Sequence, residues 1–467
     1  MKKILPLSLL LIASTTQAAN LSIDDFLQQV QSQNENFKGS QRAGKGAQIH
    51  SRDANIALMP SLFADYKNSK DKKPTDAPFF QGNETDANGF DVGLSEATSF
   101  GLNAKLTWTM THVQIMNAPQ LAVPDYHLAA PMLELSQSLL RNGFGSEVSA
   151  QRDLSEANNL GNSYNNSYQA RAELVNSEIA YWRLAIARKT VEIQKDAFSR
   201  AEKILQWATK RVNLQLGERS DELQAQASLE LSKLQLKAAN DEVEAASIAF
   251  NSARNISGDQ VPESLDLVES ESLVKMEVPA REEMRLDVKA ADEMRKVAVA
   301  NAQLTKEKYK PDLKVFGSLA WTGRDTLTDA SVNQAVQGIH PTRVIGVSFT
   351  TPLSFGLMSD TYTGTKMEQE GAELQYQNKL MKQEQDWRDL NTKLQEAKQR
   401  LALTRQLETV QKAKLENEQQ RLLRGRTTTY QMLLFEQDFD TAQLQRVNTQ
   451  AEVLRIIAQM KLFGGAL

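Results

Sequence analysis

Residues 423–443 read LRGRTTTYQMLLFEQDFDTAQ, and this stretch decides how the second half of the chain folds. Gly425 can end a helix readily, because glycine enters the left-handed conformation without a steric penalty. Thr428 can cap the next helix, and Gln431 stands three residues later, as in a capping box. The stretch therefore predicts a helical hairpin, with its turn at Gly425.

Proline is missing on both sides of this turn. No proline occurs in residues 353–467, and none occurs in residues 132–261. Because proline removes a backbone donor and clashes inside helices, the two stretches predict very long helices. Apolar residues recur there at alternating three- and four-residue spacing, which is typical of coiled-coil packing. Long helices are predicted at residues 145–211 and 359–421, roughly 100 Å and 93 Å in length. Shorter helices are predicted at residues 22–58, 220–256, 280–309 and 429–463.

The earlier proline-free stretch has one internal break, NLQLGERS at residues 213–220. Gly217 is predicted to match Gly425 at the other turn, and Ser220 is predicted to cap the helix that follows. Each long helix is therefore expected to run to a tip, from which a shorter helix returns.

The predicted elements occur twice in the same order. Residues 19–256 form a first structural repeat and residues 280–467 a second, joined by an acidic linker at residues 257–279. Each repeat contains a half-helix, strands, a long helix and a returning half-helix. Ser138 and Pro352 each precede a long helix. A repeat of this length indicates a duplicated domain rather than a short solenoid period.

Apolar and polar residues alternate between the half-helix and the long helix of each repeat, which predicts strands with one apolar face. Runs of about 9–11 residues suit a barrel that crosses a bilayer. Residues 69–98 and 324–342 are polar and are predicted to be loops. Residues 86–112 carry further strand signal, and they either span the membrane or lie at the rim of the barrel. One chain then offers four or five strands, too few to close a barrel, so several chains must share one. The alternative is a soluble β-sandwich on a helical stalk.

The bulk properties narrow the class of protein. Residues 1–18 have a basic start, a short apolar run and a small-residue end, as in a secretory signal peptide. No later run of about 18 apolar residues predicts a transmembrane helix. The chain has no cysteine, which excludes disulfides and thiolate metal sites. A net charge of -4 argues against nucleic acid as the main partner.

Nothing in the sequence predicts an enzyme, a metal site or a cofactor. The four histidines are scattered without helical pairing, and residues 44–46 (GKG) lack the spacing of a phosphate-binding loop. No serine, histidine and aspartate stand in a recognisable nucleophile context. No catalytic residue is therefore proposed.

Several stretches, at matching positions of the two repeats, together resemble the outer-membrane efflux protein family of TolC-like channels. They are LSIDDFLQQVQSQNENFKGS (21–40), ANIALMPSLFADY (54–66), LELSQSLLRNGFG (133–145), LGERSDELQAQASLELSKLQL (216–236), EKYKPDLKVFGSL (307–319), VSFTTPLSFG (347–356) and the 423–443 stretch. The resemblance covers essentially the whole chain after residue 18.

The resemblance implies an α+β membrane protein that acts as a homotrimer. Each subunit would give four strands to a shared twelve-stranded transmembrane β-barrel, and the helices would form a periplasmic α-helical barrel with residues 257–279 in its equatorial belt. Such a channel belongs to the outer membrane of a Gram-negative bacterium, with most of the chain in the periplasm. It contacts outer-membrane lipid and opens when an inner-membrane pump and a periplasmic adaptor dock. The competing interpretation is a trimeric coiled-coil structural or adhesive protein without a pore.

Charged residues at the two predicted tips are candidates for a periplasmic gate. Asp221 is predicted to pair with Arg424 or Arg426 across neighbouring tips, and the alternative is that these are solvated charges near a turn. The full set of gate candidates is Gly217, Arg219, Asp221, Glu222, Arg421, Arg424, Gly425, Arg426 and Thr428.

The tunnel entrance is expected to differ from that of the family's best-known member, in which two aspartates follow the second tip glycine as a cation-selective ring. Gln431 and Leu434 stand at the matching positions of this chain. The ring is therefore missing, and Gln431 and Glu436 are the weaker candidates for entrance residues.

Overall fold

The computed structural model describes residues 20–464, so the predicted signal peptide at residues 1–18 lies outside it. The chain forms two compact units. The first contains residues up to Gly44, Asn165–Val288 and the chain from Leu380 onward. The second contains Lys45–Tyr164 and Lys289–Lys379. Each unit combines segments of both predicted repeats.

Helices make up most of the described chain. They are α1 (Ile23–Gln33), α2 (Glu35–His50), α3 (Pro78–Gln81), α4 (Ser146–Asn213), α5 (Arg219–Ala253), α6 (Ser270–Lys275), α7 (Leu286–Lys308), α8 (Thr328–Val336), α9 (Phe355–Leu423) and α10 (Thr429–Met460). With 68 and 69 residues, α4 and α9 each measure about 100 Å. The two long helices that the proline-free stretches predict are therefore present. No helix among residues 20–464 has the length and apolar character needed to cross a bilayer.

Asparagine side chains shape the ends of two predicted helices. The helix predicted over residues 22–58 is broken at Asn34, whose side-chain oxygen accepts the Phe37 N–H at 2.8 Å. The long helix predicted over residues 145–211 begins at Ser146, after a turn in which Asn142 and Phe144 each have a positive φ of 52°. The Asn142 side chain then accepts the backbone N–H of Glu147 at 3.1 Å, which satisfies a free donor at the start of α4.

The strands are β1 (Asn20–Leu21), β2 (Ser61–Asp71), β3 (Glu84–Ala97), β4 (Leu102–Met116), β5 (Asp125–Ser138), β6 (Ser264–Leu265), β7 (Asp312–Trp321), β8 (Gly323–Asp325) and β9 (Pro341–Thr350). Six long strands form one antiparallel ladder in the order β2-β3-β4-β5-β7-β9, and β8 adds to β5. The prediction of four or five strands is therefore wrong. The predicted loop at residues 69–98 contains β3, and the one at residues 324–342 contains α8.

The register of this sheet separates apolar from polar residues. Five leucines stand opposite one another on five adjacent strands. They are Leu62, Leu94, Leu106, Leu133 and Leu319. The neighbouring row, one residue along each strand, contains Ser61, Ser95, Lys105, Glu134 and Ser318. Because successive side chains point to opposite faces, the sheet has one apolar and one polar face.

The first compact unit is built around three fully buried aromatic residues. Phe26 of α1 stacks on Phe250 of α5 with ring centroids 4.4 Å apart, and Tyr181 of α4 lies 5.4 Å from Phe26. Leucines, isoleucines and valines of α9 and α10 complete the cluster. This cluster holds α1 against the long helical hairpins.

The acidic linker is held in place by Tyr181. Its hydroxyl donates to the carbonyl of Leu21 at 2.7 Å and accepts the N–H of Asp266 at 2.9 Å. These bonds bracket the short parallel pairing of β1 with β6. Burial raises the pKa of Tyr181 to about 12, so the hydroxyl stays protonated. The apolar side chains of the linker therefore pack on the first compact unit, while its acidic side chains Asp259, Glu269 and Glu277 are exposed.

Candidate gate at the helical hairpin tips

The two hairpin tips have the same backbone geometry. Arg211 and Arg421 each stand two residues before the end of their long helix. The carbonyl of each arginine accepts the N–H of the residue five positions on, Leu216 at 2.8 Å and Arg426 at 2.9 Å. Each guanidinium in turn donates to the carbonyl of that same residue, at 2.8 Å and 3.4 Å. The next helix starts eight residues after the arginine in both tips, so the duplication extends to the turns.

This geometry corrects the predicted match between Gly217 and Gly425. The left-handed residue of the first tip is Gln215, with φ of 60°, and that of the second is Gly425, with φ of 67°. Both stand four residues after Arg211 or Arg421, the clamping arginines, so named because the carbonyl and the guanidinium of each bond across the turn. Gly217 has no positive φ, and its smallness serves packing instead, because an added Cβ would lie 3.2 Å from the Cβ of Arg211. The left-handed conformation costs a non-glycine residue such as Gln215 about 1–2 kcal/mol.

The helix caps differ between the tips. Thr428 is the N-cap of α10, and its hydroxyl accepts the N–H of Gln431 at 3.2 Å, as predicted. In the first tip the N-cap is Glu218, whose side chain makes no capping bond. The predicted cap, Ser220, lies inside α5 and donates to the Glu218 carboxylate at 3.2 Å. The prediction for Ser220 is therefore wrong.

Several charged gate candidates form ion pairs within their own hairpin. Arg219 pairs with Glu222, which also accepts from Thr209 at 3.0 Å. Arg421 pairs at 3.0 Å with Glu418, a carboxylate only 3% exposed that Thr427 also contacts. Sequence reasoning missed Glu418, although its position three residues before Arg421 on one helix is a signal for such a pair.

Three charged candidates remain available for contacts outside the chain. Within residues 20–464, the side chains of Asp221, Arg424 and Arg426 form neither an ion pair nor a hydrogen bond. Both arginines are exposed and Asp221 is half-buried. The predicted pairing of Asp221 with Arg424 or Arg426 does not occur inside one subunit, and it stays a prediction about neighbouring subunits.

Near the tips, one arginine joins a buried and a partly buried carboxylate. Arg200 of α4 donates through Nε to Glu436 of α10 at 2.6 Å and through Nη2 to Asp440. Glu436, the entrance candidate, is only 7% exposed and committed to this contact, while Gln431 is half-buried at the cap of α10. Burial raises the pKa of Asp440 to about 6, and the carboxylate of Glu436 adds to this, although Arg200 opposes it.

Among the described residues, no group of three or more histidine, aspartate or glutamate side chains is arranged to hold a metal ion. The site consists of helix ends, ion pairs and capping bonds. Its arrangement can hold helices together or let them separate.

Solved structures that superpose on nearly the whole of this chain include outer-membrane channels. CusC, whose crystal structures concern transmembrane channel formation, superposes with a TM-score of 0.67 over 96% of this chain and 93% of its own, at 12% identity. VceC, an outer membrane protein of Vibrio cholerae, gives a TM-score of 0.66 over 95% and 96% of the two chains, at 15% identity. The Campylobacter jejuni CmeC outer membrane channel gives 0.64 over 95% and 85%, at 17% identity. This chain has the fold of the outer-membrane channels. No protein-family model and no curated protein sequence matches it.

In this channel fold, the Arg200 cluster predicts a pH dependence of stability. Because the pKa of Asp440 in the folded state lies above its ordinary 3.8, its stabilising contribution is full below about pH 4 and is lost as pH rises through 6. Asp440→Asn, which is neutral at every pH, is therefore expected to match the natural chain near pH 4. At pH 8 it should be more stable, by on the order of 2 kcal/mol.

Thermal unfolding of both proteins, purified in detergent, at pH 4 and pH 8 measures this difference. Asp241→Asn on the exposed surface of α5 is the control, since that carboxylate pairs only with Lys237 in solvent. Parallel pH profiles of Asp440→Asn and the natural chain would contradict the prediction.

Proposed function

We propose that this chain is the outer-membrane channel subunit of a tripartite export system. It passes substrates from an inner-membrane pump and a periplasmic adaptor to the outside, and it performs no chemistry on them. Three copies form a homotrimer, whose sheets close one barrel in the outer membrane of a Gram-negative bacterium and whose helices form a periplasmic tunnel. The observation that carries this proposal is the exposed apolar face of the six-stranded ladder.

That face distinguishes a membrane sheet from a soluble one. A soluble β-sandwich covers its apolar face with a second layer. Here Leu62 is 74% exposed and Leu106 is 51% exposed, although both belong to the leucine row. A face of this kind in strands of 10–15 residues suits lipid, and the polar face with Lys105 and Glu134 suits an aqueous lumen.

The edges of the ladder support a barrel shared between subunits. β2 and β9 each pair on one side only within the described chain. Unpaired backbone groups are not tolerated in hydrocarbon, so each edge must find a partner. β2 of one subunit beside β9 of the next satisfies both edges and keeps the pairing antiparallel.

The tips supply the surface for the adaptor and the gate. A photo-crosslinking amino acid at exposed Leu216 or Arg426 should capture the adaptor in whole cells. The same group at Leu234, equally exposed but in the middle of α5, should not. Mass spectrometry of the products, with bilayer conductance of the purified protein, tests the proposal. A chain that captures no adaptor and conducts no ions would instead fit the coiled-coil surface protein.

The gate proposal predicts a leak when its charges are reversed. Each exposed pair contributes only about 0–1 kcal/mol, but a ring repeated in every subunit biases a closed state. Arg424→Glu or Arg426→Glu should therefore raise the passive uptake of a large antibiotic, and adding Asp221→Lys should restore the barrier for the true partner. Lys237→Glu, an exposed charge away from the turn, is the control. Unchanged uptake in both arginine variants would rule out the gate.

A further inference from the structure

We propose that β3 and β4 cross the membrane with the other strands, so that each subunit contributes six strands to the barrel wall. This inference rests on the proposed function and departs from the four strands per subunit that the family resemblance implies. Bilayer hydrocarbon is the partner of one face of β3 and β4, and the aqueous lumen faces the other. Three subunits then build an eighteen-stranded barrel.

The order of the ladder requires this arrangement. β4 pairs with β3 from Asn103 to Met116 along one edge and with β5 along the other, so neither edge is free for a neighbouring subunit. β2 reaches β5 only through β3 and β4. If the two strands lay outside the bilayer, the wall would contain a gap with unpaired backbone groups, which hydrocarbon does not tolerate.

A wall without β2, β3 and β4 does not close either. Only β5, β7 and β9 would remain, and because neighbours in the ladder are antiparallel, β5 and β9 run in the same direction. The β9 of one subunit would then meet the β5 of the next in parallel. Bacterial outer-membrane barrels are antiparallel throughout and have an even number of strands. Six strands per subunit satisfy both conditions.

β3 and β4 also have the length and the ends of spanning strands. They contain 14 and 15 residues, whereas about 9–11 tilted residues cross a bilayer. Their connection at residues 98–101 is short and packs on the start of α4, because a Cβ on Gly101 would lie 2.8 Å from the carbonyl oxygen of Asn142. The loops at the opposite end, residues 72–83 and 117–124, are longer. Outer-membrane barrels show the same contrast between short periplasmic turns and long outer loops.

The two faces of the hairpin match those of the rest of the sheet. Phe90, Val92 and Leu94 alternate on the apolar face of β3 and are all exposed. They stand opposite Met110, Trp108 and Leu106 of β4. The other face bears Asp91, which accepts from the Thr109 hydroxyl at 2.6 Å. A hairpin on the rim would expose these six apolar side chains to water, whereas a spanning hairpin places them in lipid.

The consequence is a wide pore. Barrel diameter grows roughly linearly with the number of strands, and barrels of 16–18 strands leave an aqueous channel. An eighteen-stranded wall therefore leaves the barrel wider than twelve strands would, so we expect any limit on cargo size to lie at the helical tips.

Site-directed spin labelling tests this directly, since the natural chain contains no cysteine. Single cysteines at Val92 and Leu106 on the apolar face, and at Ser95 and Thr109 on the polar face, carry the nitroxide in liposomes of phosphatidylcholine and phosphatidylglycerol. The matched pair on β9 is Val347 and Ser348. Collision with dissolved oxygen reports lipid exposure, and collision with a neutral nickel chelate reports water exposure.

We expect the accessibility of the labels to alternate along β3 and β4 as it does along β9. The ratio of oxygen to nickel accessibility at Val92 and Leu106 should be at least threefold higher than the ratio at Ser95 and Thr109. If label accessibility alternates along β9 while labels on both faces of β3 and β4 collide with the nickel chelate, the hairpin lies outside the membrane. The inference then fails and the proposed function stands. If β9 does not alternate either, the sheet does not span and both fail.

Discussion

Arg200→Met is expected to cause a large loss of stability, about 3–5 kcal/mol at pH 8. The change leaves the buried Glu436 and the partly buried Asp440 beside each other without the cation that both contact. Without that partner, each carboxylate disfavours the ionised form of its neighbour. Thermal unfolding of the purified protein should show the loss, and lowering the pH to 5 should recover part of it, because protonation removes the uncompensated charge.

Arg183→Met is the matched control for this prediction. Arg183 lies on the same helix and pairs with Glu242 at 2.7 Å, but both side chains are about half exposed. A pair in solvent contributes about 0–1 kcal/mol, so its loss should be small and nearly independent of pH. Equal effects of the two arginine substitutions would contradict the special role of the buried cluster.

Phe250→Ala is expected to cost about 3–5 kcal/mol, because it opens a cavity in the centre of the first compact unit. Phe250 is fully buried, and its ring stacks on Phe26 while lying 6.1 Å from Tyr181. The loss should appear as a lower midpoint of thermal unfolding and as faster proteolysis within α1, whose packing depends on this ring.

Leu234→Ala provides the comparison on the same helix. Leu234 is 67% exposed, so its truncation should change stability by no more than about 0.5 kcal/mol in the isolated subunit. A Phe250→Ala protein that unfolds at the same temperature as the Leu234→Ala protein would show that the aromatic cluster does not hold α1.

The helices were predictable because their signal is local. Residues 132–261 and 353–467 exclude proline, and α4 and α9 occupy the interiors of these stretches. The breaks that composition does not show depend on single side chains. Asn34 ends α1 through its own hydrogen bonds, and an asparagine in a polar helix carries no unusual sequence signal.

β3 was predicted only in part, as strand signal from residue 86 inside a predicted loop, because glycines weaken its pattern. Gly89 and Gly93 alternate with Phe90 and Val92, and glycine is depleted in strands. An added Cβ on Gly93 would lie 2.6 Å from the ring of Phe63 on the neighbouring strand. The glycine therefore makes room for an aromatic side chain from another strand, a contact that no local pattern reveals.

The candidate site was partly predictable for the same reason. Thr428 caps α10 through a residue three positions away, and that spacing is visible in the sequence. Arg200 meets Glu436 across 236 positions, so only the fold brings them together. Only the bonds of the clamping arginines reveal which residues of the two tips correspond. Gly217 is the more conspicuous residue in the sequence, but Gln215 occupies the left-handed position of the first tip.

The pairing of β1 with β6 sets an order of events during biogenesis. Asn20 bonds to Asp266, a partner 246 positions later in the chain. Asn20 and Leu21 therefore cannot pair until more than half of the chain has been synthesised, although the α4–α5 hairpin can form from contiguous sequence. Until Tyr181 and Phe250 of this hairpin are available, the apolar face of α1, with Phe26, Leu27 and Val30, remains uncovered. Non-local pairing of this kind slows folding and exposes the chain to aggregation, so a holding chaperone has a defined segment to protect.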